Sequence, residues 1–152
     1  MGGFRFRLQK ILELRERLEK ESAVRLNTAR VDADAAQRAL ETLEAARRGS
    51  TEDVGRTAGA AVQAGELQRL ALLVEQLDLH LAVASEAMEE ADARVDDLEV
   101  EFSDAITRRR VLDKLREKHL EMWKTEEVQH DRATMDAIAL ARHALRRVQG
   151  DS

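Results

Sequence analysis

An unbroken ladder of apolar residues, spaced alternately three and four positions apart, occupies the middle of the chain. It keeps one stripe of a helix apolar for more than five heptads, which is typical of a coiled-coil seam. Such a stripe needs a second helix to cover it, so the pattern predicts paired long helices. The members of the ladder are Leu67, Leu70, Val74, Leu77, Leu81, Ala84, Met88, Ala91, Val95, Leu98, Phe102 and Ala105.

Composition favours long helices and excludes several other classes of protein. The 152 residues include no proline and no cysteine, with 3% aromatic and 36% charged residues. Without proline, nothing in the sequence forces a helix to stop. Without cysteine, there is neither a disulfide framework nor thiol chemistry. No apolar run is long enough to span a membrane and no secretory signal is visible, so we expect a cytoplasmic protein.

Four glycines, Gly49, Gly55, Gly59 and Gly65, predict a flexible turn at about 49–65. Glycine is unfavourable by about 1 kcal/mol relative to alanine inside a helix. The turn separates a first arm, about 4–48, from a second, about 66–149, within a single extended coiled-coil domain (1–152). A small shift, of the kind that locally unwinds a supercoil, interrupts the spacing in the first arm. Its apolar positions are Ile11, Leu14 and Leu18, then Leu26, Ala29, Ala33, Ala36, Leu40 and Leu43.

Folding the chain at a turn centred near Arg56 lays the two arms antiparallel. The expected pairs are Leu43 with Leu70, Ala36 with Leu77, Ala29 with Ala84, Ser22 with Ala91, Leu18 with Val95 and Ile11 with Phe102. The second arm is longer, so residues from about Val111 outrun their partner. The predicted fold class is all-α: a long two-helix antiparallel coiled-coil hairpin with an overhanging C-terminal helical segment.

The N-terminal stretch FRFRLQ alternates apolar and basic residues, which is the period of a strand. It is short, and the KILELRERLEK that follows has helical spacing. We interpret FRFRLQ as the start of the first helix, with Phe4, Leu8 and Ile11 on one face, and we predict no strand.

Charge is unevenly distributed along the chain. Residues 1–48 contain 11 basic residues (Lys and Arg) and 8 acidic residues (Asp and Glu). Residues 49–107 contain 3 basic and 14 acidic residues, and residues 108–152 contain 11 basic and 8 acidic residues. An antiparallel hairpin therefore has a basic open end and an acidic body. The candidate protein-binding residues at the basic end are Arg5, Arg7, Lys10, Arg15, Arg108, Arg109 and Arg110.

Motifs of enzyme and metal chemistry are not found in the sequence. There is no phosphate-binding glycine loop and no nucleophile elbow. Glu127 and His130 match one Glu-x-x-His element of a di-iron bundle, but such a site needs two of these elements and two further glutamates. We expect no enzyme activity, no cofactor and no metal.

Two further features have alternative interpretations. The run of Arg108, Arg109 and Arg110 could bind nucleic acid. The chain is acidic overall and poor in aromatic residues, however, which favours a protein contact or a solvated face. Trp123 lies beyond the expected paired region, where it is either an interface anchor or packs on its own helix.

The opening FRFRLQKILELRE resembles the N-terminus of the flagellar FliJ family, and chain length and the charged C-terminal segment EKHLEMWKTEEVQHDRATMDAIA are also similar. The resemblance implies a non-enzymatic stalk that inserts into the hexameric flagellar export ATPase and promotes its assembly and activity. It also implies contacts with the cytoplasmic domain of the export gate and with export chaperones. The membrane would be reached only peripherally, through the export apparatus.

By position, the resemblance places the gate contact at about 37–45 and 70–81, where Leu70, Val74, Leu77 and Leu81 are the candidate residues. This chain has no aromatic residue in either stretch. The alternatives are a coiled-coil scaffold or tether, and the related stalk protein of the injectisome. A monomer in solution would favour the stalk, and an obligate dimer would favour the scaffold.

Overall fold

A computed structural model describes residues 2–59 and 63–151. The chain forms two long helices packed against each other, α1 (Gln9–Ala58, 50 residues) and α2 (Ala64–Gly150, 87 residues). No residue in the described ranges is in a strand. The predicted all-α helical hairpin is confirmed. Neither helix, over its described residues, holds an apolar stretch long enough to cross a bilayer.

The first helix continues beyond its predicted end near residue 48. Gly49 and Gly55 lie inside α1, while residues 60–62, part of the predicted flexible turn, lie outside the described residues. The cost of two helical glycines is about 2 kcal/mol. Half-buried Val54 and Thr57 continue the packed face of α1 past both glycines. Packing of this face offsets the low helix propensity, as tertiary contacts often do.

Contacts divide the chain into two compact units, one of which is Leu18–Ala105. In this unit Arg47 pairs with Asp78, Arg30 with Glu99 at 3.2 Å and Arg25 with Glu101 at 3.8 Å. The numbers fall along α1 as they rise along α2, so the helices run antiparallel. A turn centred near Arg56 would place Asp78 opposite Ala35, yet Asp78 pairs with Arg47. The predicted register was therefore wrong, because α1 is longer than expected.

The Arg47–Asp78 pair also affects an ionisation equilibrium. A hydrogen bond to Asp78, together with the charge of that carboxylate, raises the pKa of the Arg47 guanidinium above its ordinary value. A raised pKa for a cation means that the pair stabilises the folded state below that pKa and loses this effect only at strongly alkaline pH. The pair is solvent-exposed, so its contribution is small.

The packed face of α1 keeps a single heptad register along the whole helix. Its buried positions, in chain order, are Leu12, Ser22, Leu26, Ala29 and Ala33. Stepping back from Ser22 by three and four positions reaches half-buried Glu19 and Arg15, then buried Leu12. The shift predicted in this arm was wrong: Ile11, Leu14 and Leu18 are exposed. The predicted ladder of α2 is half-buried from Leu70 to Ala105, as expected for a seam.

The other unit comprises Met1–Arg17 and Ile106–Ser152. Half-buried positions of α2 continue here as far as Glu127, well past the predicted start of the overhang near Val111. Every described residue from 128 to 151 is exposed. The overhang (residues 128–150) is thus shorter than predicted, because an N-terminal segment ahead of α1 also packs against α2.

Candidate protein-binding site

The N-terminal segment, residues 2–8, is not helical. Residues 2–6 have no regular structure, Arg7 and Leu8 form a turn, and α1 begins at Gln9. The Gln9 N–H donates to the Phe6 carbonyl at 3.1 Å, and the Leu12 N–H donates to the Leu8 carbonyl at 2.9 Å. The interpretation of FRFRLQ as the first helical turn was therefore wrong, although the segment is not a strand either.

Alternation in FRFR decides which side chains face α2. Phe4 is half-buried and Phe6 is buried, whereas Arg5 and Arg7 are exposed. Successive side chains of an extended chain point to opposite sides. The strand-like alternation thus places the phenylalanines against a helix and the arginines in solvent, and no sheet is involved.

Aromatic contacts hold the N-terminal segment on α2. The Phe4 ring lies 6.0 Å from Trp123, and the Phe6 ring meets the His119 ring edge-on at 5.6 Å. The Arg116 guanidinium carbon lies 5.7 Å from the centre of the Phe4 ring, within the range of a cation–π contact. His119 and Trp123 lie one helical turn apart, so the two phenylalanines contact successive turns of α2. Part of the Trp123 ring is accordingly occupied inside the chain.

We expect Phe4 and Trp123 to be energetically coupled. In a double-mutant cycle of Phe4→Ala and Trp123→Ala, the coupling free energy should be about 0.5–1.5 kcal/mol, the range for aromatic pairs. Urea unfolding of the four proteins, followed by circular dichroism, measures it. As a control, Val128→Ala truncates an exposed apolar residue further along α2 and should not couple to Phe4→Ala. Additive single effects of Phe4→Ala and Trp123→Ala would contradict the contact.

A basic groove of ≈ 550 Å³ opens beside this aromatic cluster. Its charged side chains are Arg5, Arg7, Lys10, Arg116 and Glu13, so four cations face one carboxylate. The Gln9 side-chain amide donates to Glu13 at 3.4 Å. A surface with this excess of positive charge attracts anionic groups. We call it the basic groove.

Three of the predicted basic residues, Arg5, Arg7 and Lys10, line the basic groove. The arginine that shares the groove with them is Arg116, which the sequence analysis did not select as a site residue. Its heptad position was the available signal, because it continues the α2 ladder as a cation where an apolar residue is expected.

The remaining predicted basic residues differ in their surroundings. Arg108 and Arg110 are exposed, whereas Arg15 is half-buried in the packed face of α1. Arg109 is half-buried and donates to Asp113 at 2.5 Å, one turn further along α2. Charge on Arg109 is therefore partly neutralised within the chain. The run of three arginines does not act as three equivalent cations.

The predicted apolar residues near the start of α2 lie in the helix–helix seam. Leu70, Val74, Leu77 and Leu81 are all half-buried. Other apolar residues on this part of α2 are instead exposed to solvent. Leu72, Leu79 and Val83 lie on the face opposite the seam, and Leu73 lies about 100° from Leu72 around the helix. We call these four residues the outer stripe. These residues were not predicted from the sequence because the seam ladder, on another side of α2, is a longer and more regular apolar pattern.

Over residues 2–59 and 63–151, no three His, Cys, Asp or Glu side chains come together to hold an ion. Glu127 is half-buried and His130 exposed on the same helix.

Comparison with protein families gives a match over most of the chain. No curated protein and no solved structure matches the chain. The family model described as "Flagellar FliJ protein" matches residues 4–148, which include most of the N-terminal segment, all of α1 and nearly all of α2. The chain therefore belongs to the flagellar FliJ family, whose members are components of the flagellar export apparatus.

Proposed function

We propose that this protein is a non-enzymatic, cytoplasmic stalk whose basic end enters an acidic or carbonyl-lined opening in the hexameric flagellar export ATPase. Binding there promotes assembly and activity of the ring. The observation that carries the proposal is the basic groove, where Arg5, Arg7 and Lys10 share one surface with Arg116. Membership of the FliJ family supplies the setting.

Electrostatics gives a reason for a partner at this surface. Cations gathered in one groove repel each other, and a partner of opposite sign relieves that repulsion. Contacts of Phe4 and Phe6 with α2 hold the backbone that carries Arg5 and Arg7. A surface organised before binding loses less conformational entropy when the complex forms.

Charge reversal tests the proposed ATPase contact. The variant Arg5→Glu, Arg7→Glu, Lys10→Glu should bind the purified export ATPase at least about tenfold more weakly, since a close charge contact is worth more than about 1.4 kcal/mol. Stimulation of ATP hydrolysis should fall with it. All three side chains are exposed, so helicity by circular dichroism should be unchanged. Added salt should weaken binding of the wild-type protein through screening.

The matched control reverses three exposed cations of the other unit: Lys20→Glu, Arg48→Glu and Arg69→Glu. It makes the same change in net charge and should keep ATPase binding near the wild-type level. Equal losses in both variants would mean that only net charge matters. Full stimulation by a well-folded groove variant would overturn the proposal and favour a structural scaffold or tether.

Contacts with the export gate and with export chaperones form the second part of the proposal. The seam residues Leu70, Val74, Leu77 and Leu81 are engaged in packing, so we assign these contacts to the outer stripe. An exposed apolar stripe is typical of a surface that binds another protein. The proposed function involves no nucleic acid. In this function the protein reaches the membrane peripherally, through the export apparatus.

A further inference from the structure

The end of the overhang is an amphipathic helix that packs on nothing within the described part of the chain. Successive residues of an α-helix are rotated by about 100°, so residues 137–148 can be projected onto a wheel. Their apolar side chains, alanine 139 aside, fall within an arc of about 160°. The residues in this arc are Ala137, Ile138, Leu140, Ala141, Ala144, Leu145 and Val148, all of them exposed.

Charge on the opposite side of the same helix is of one sign. Residues 137–150 contain Arg142, His143, Arg146 and Arg147 and no aspartate or glutamate. On the wheel, Arg142 borders one edge of the apolar arc and Arg147 borders the other. The apolar face is thus flanked by a cation on each side. We call residues 137–148 the basic amphipathic end.

We propose that the basic amphipathic end lies flat on an anionic lipid surface. Its apolar arc would enter the boundary between headgroups and acyl chains, and Arg142 and Arg147 would extend sideways to lipid phosphates. Long arginine side chains can bury their aliphatic part while the guanidinium stays in the polar layer. Helices with an apolar face and an arginine-rich polar face bind membranes in this way. This contact is separate from the proposed contact with the ATPase.

Two other occupants fit the observations less well. A second copy of this helix, packed apolar face to apolar face, would bring the flanking arginines of both copies together with no carboxylate between them. A groove on another protein would need carboxylates along both edges of its apolar floor to match Arg142 and Arg147. A continuous anionic surface presents negative charge on both sides of the helix without such a specific arrangement.

Vesicle flotation of the full-length protein tests the proposal without any export component. Vesicles of phosphatidylcholine and phosphatidylglycerol in about equal parts should bind it, and vesicles of phosphatidylcholine alone should not. Each arginine near an anionic surface is worth about 1 kcal/mol, so Arg142→Gln, Arg146→Gln, Arg147→Gln should weaken binding on the order of a hundredfold. Leu140→Gln with Leu145→Gln should weaken it at least about tenfold, through lost apolar burial.

Two matched controls separate this surface from general attraction. Lys114→Gln, Lys118→Gln, Lys124→Gln removes the same charge from exposed positions elsewhere on α2 and should leave most of the binding. Val128→Gln with Met135→Gln changes exposed apolar residues that lie outside the apolar arc, and should also leave it. Equal losses from the lysine and arginine sets would overturn the proposal, as would equal losses from the two apolar pairs. Failure of the wild-type protein to bind anionic vesicles would also overturn it, in favour of an acidic groove on a protein.

Discussion

Leu26→Asp is expected to destabilise the protein by more than about 4 kcal/mol. Leu26 is 4% exposed in the packed face of α1. An aspartate there would lose its hydration between the helices, and would also remove the apolar contacts of leucine. A typical domain is stable by only about 5–15 kcal/mol, so this change brings the protein close to unfolding. Urea denaturation followed by circular dichroism is the measurement.

Val24→Asp is the matched control for this prediction. Val24 is two residues away on the same helix but 65% exposed, so the same carboxylate there should change stability by no more than about 0.5 kcal/mol. If Leu26→Asp does not fold, Leu26→Ala gives a milder measure, with an expected loss of about 2–5 kcal/mol. Similar small losses for Leu26 and Val24 variants would show that this face of α1 is not packed.

Leu12→Ala should cost about 2–5 kcal/mol, whereas Leu14→Ala should cost less than about 1 kcal/mol. The two substitutions delete the same atoms from the same helix. Leu12 is 3% exposed and Leu14 is 44% exposed, so only the first deletion opens a cavity. Unfolding of both variants in urea compares them directly. The opposite order would restore the seam expected from sequence, in which Leu14 faces the partner helix.

The difference between Leu12 and Leu14 shows what a single sequence can predict about a coiled coil. The ladder of α2 was predicted correctly from Leu70 to Ala105, where every position is apolar and half-buried, whereas Leu67 is exposed. In α1 the packed face includes the polar residues Arg15, Glu19 and Ser22, while a second apolar stripe runs beside it. Arg15 and Glu19 can pack through the aliphatic parts of their side chains. Spacing alone does not show which of two stripes meets the partner helix.

The candidate site was predictable in its residue types but not in its geometry. Charge distribution indicated Arg5, Arg7 and Lys10, and these residues do line one groove. Arg116 was missed because the expected register was wrong. That register depended on a turn near Arg56, and glycine propensity placed the turn too early. The outer stripe was overlooked because the seam ladder, on another side of α2, is a longer and more regular apolar pattern.

The non-helical N-terminal segment, with its alternating buried and exposed side chains, also determines how much of α2 a short piece of chain can cover. Two residues of extended chain advance about 6.6 Å, and four residues of helix advance about 6 Å. The spacing from Phe4 to Phe6 therefore matches the spacing from Trp123 to His119, which is one helical turn. Had the first helix begun at Phe4, the two rings would point about 200° apart and only one could touch α2. A helix would need about twice as many residues to reach as far. A single-residue insertion between Phe4 and Phe6 would prevent the two rings from contacting Trp123 and His119 at the same time.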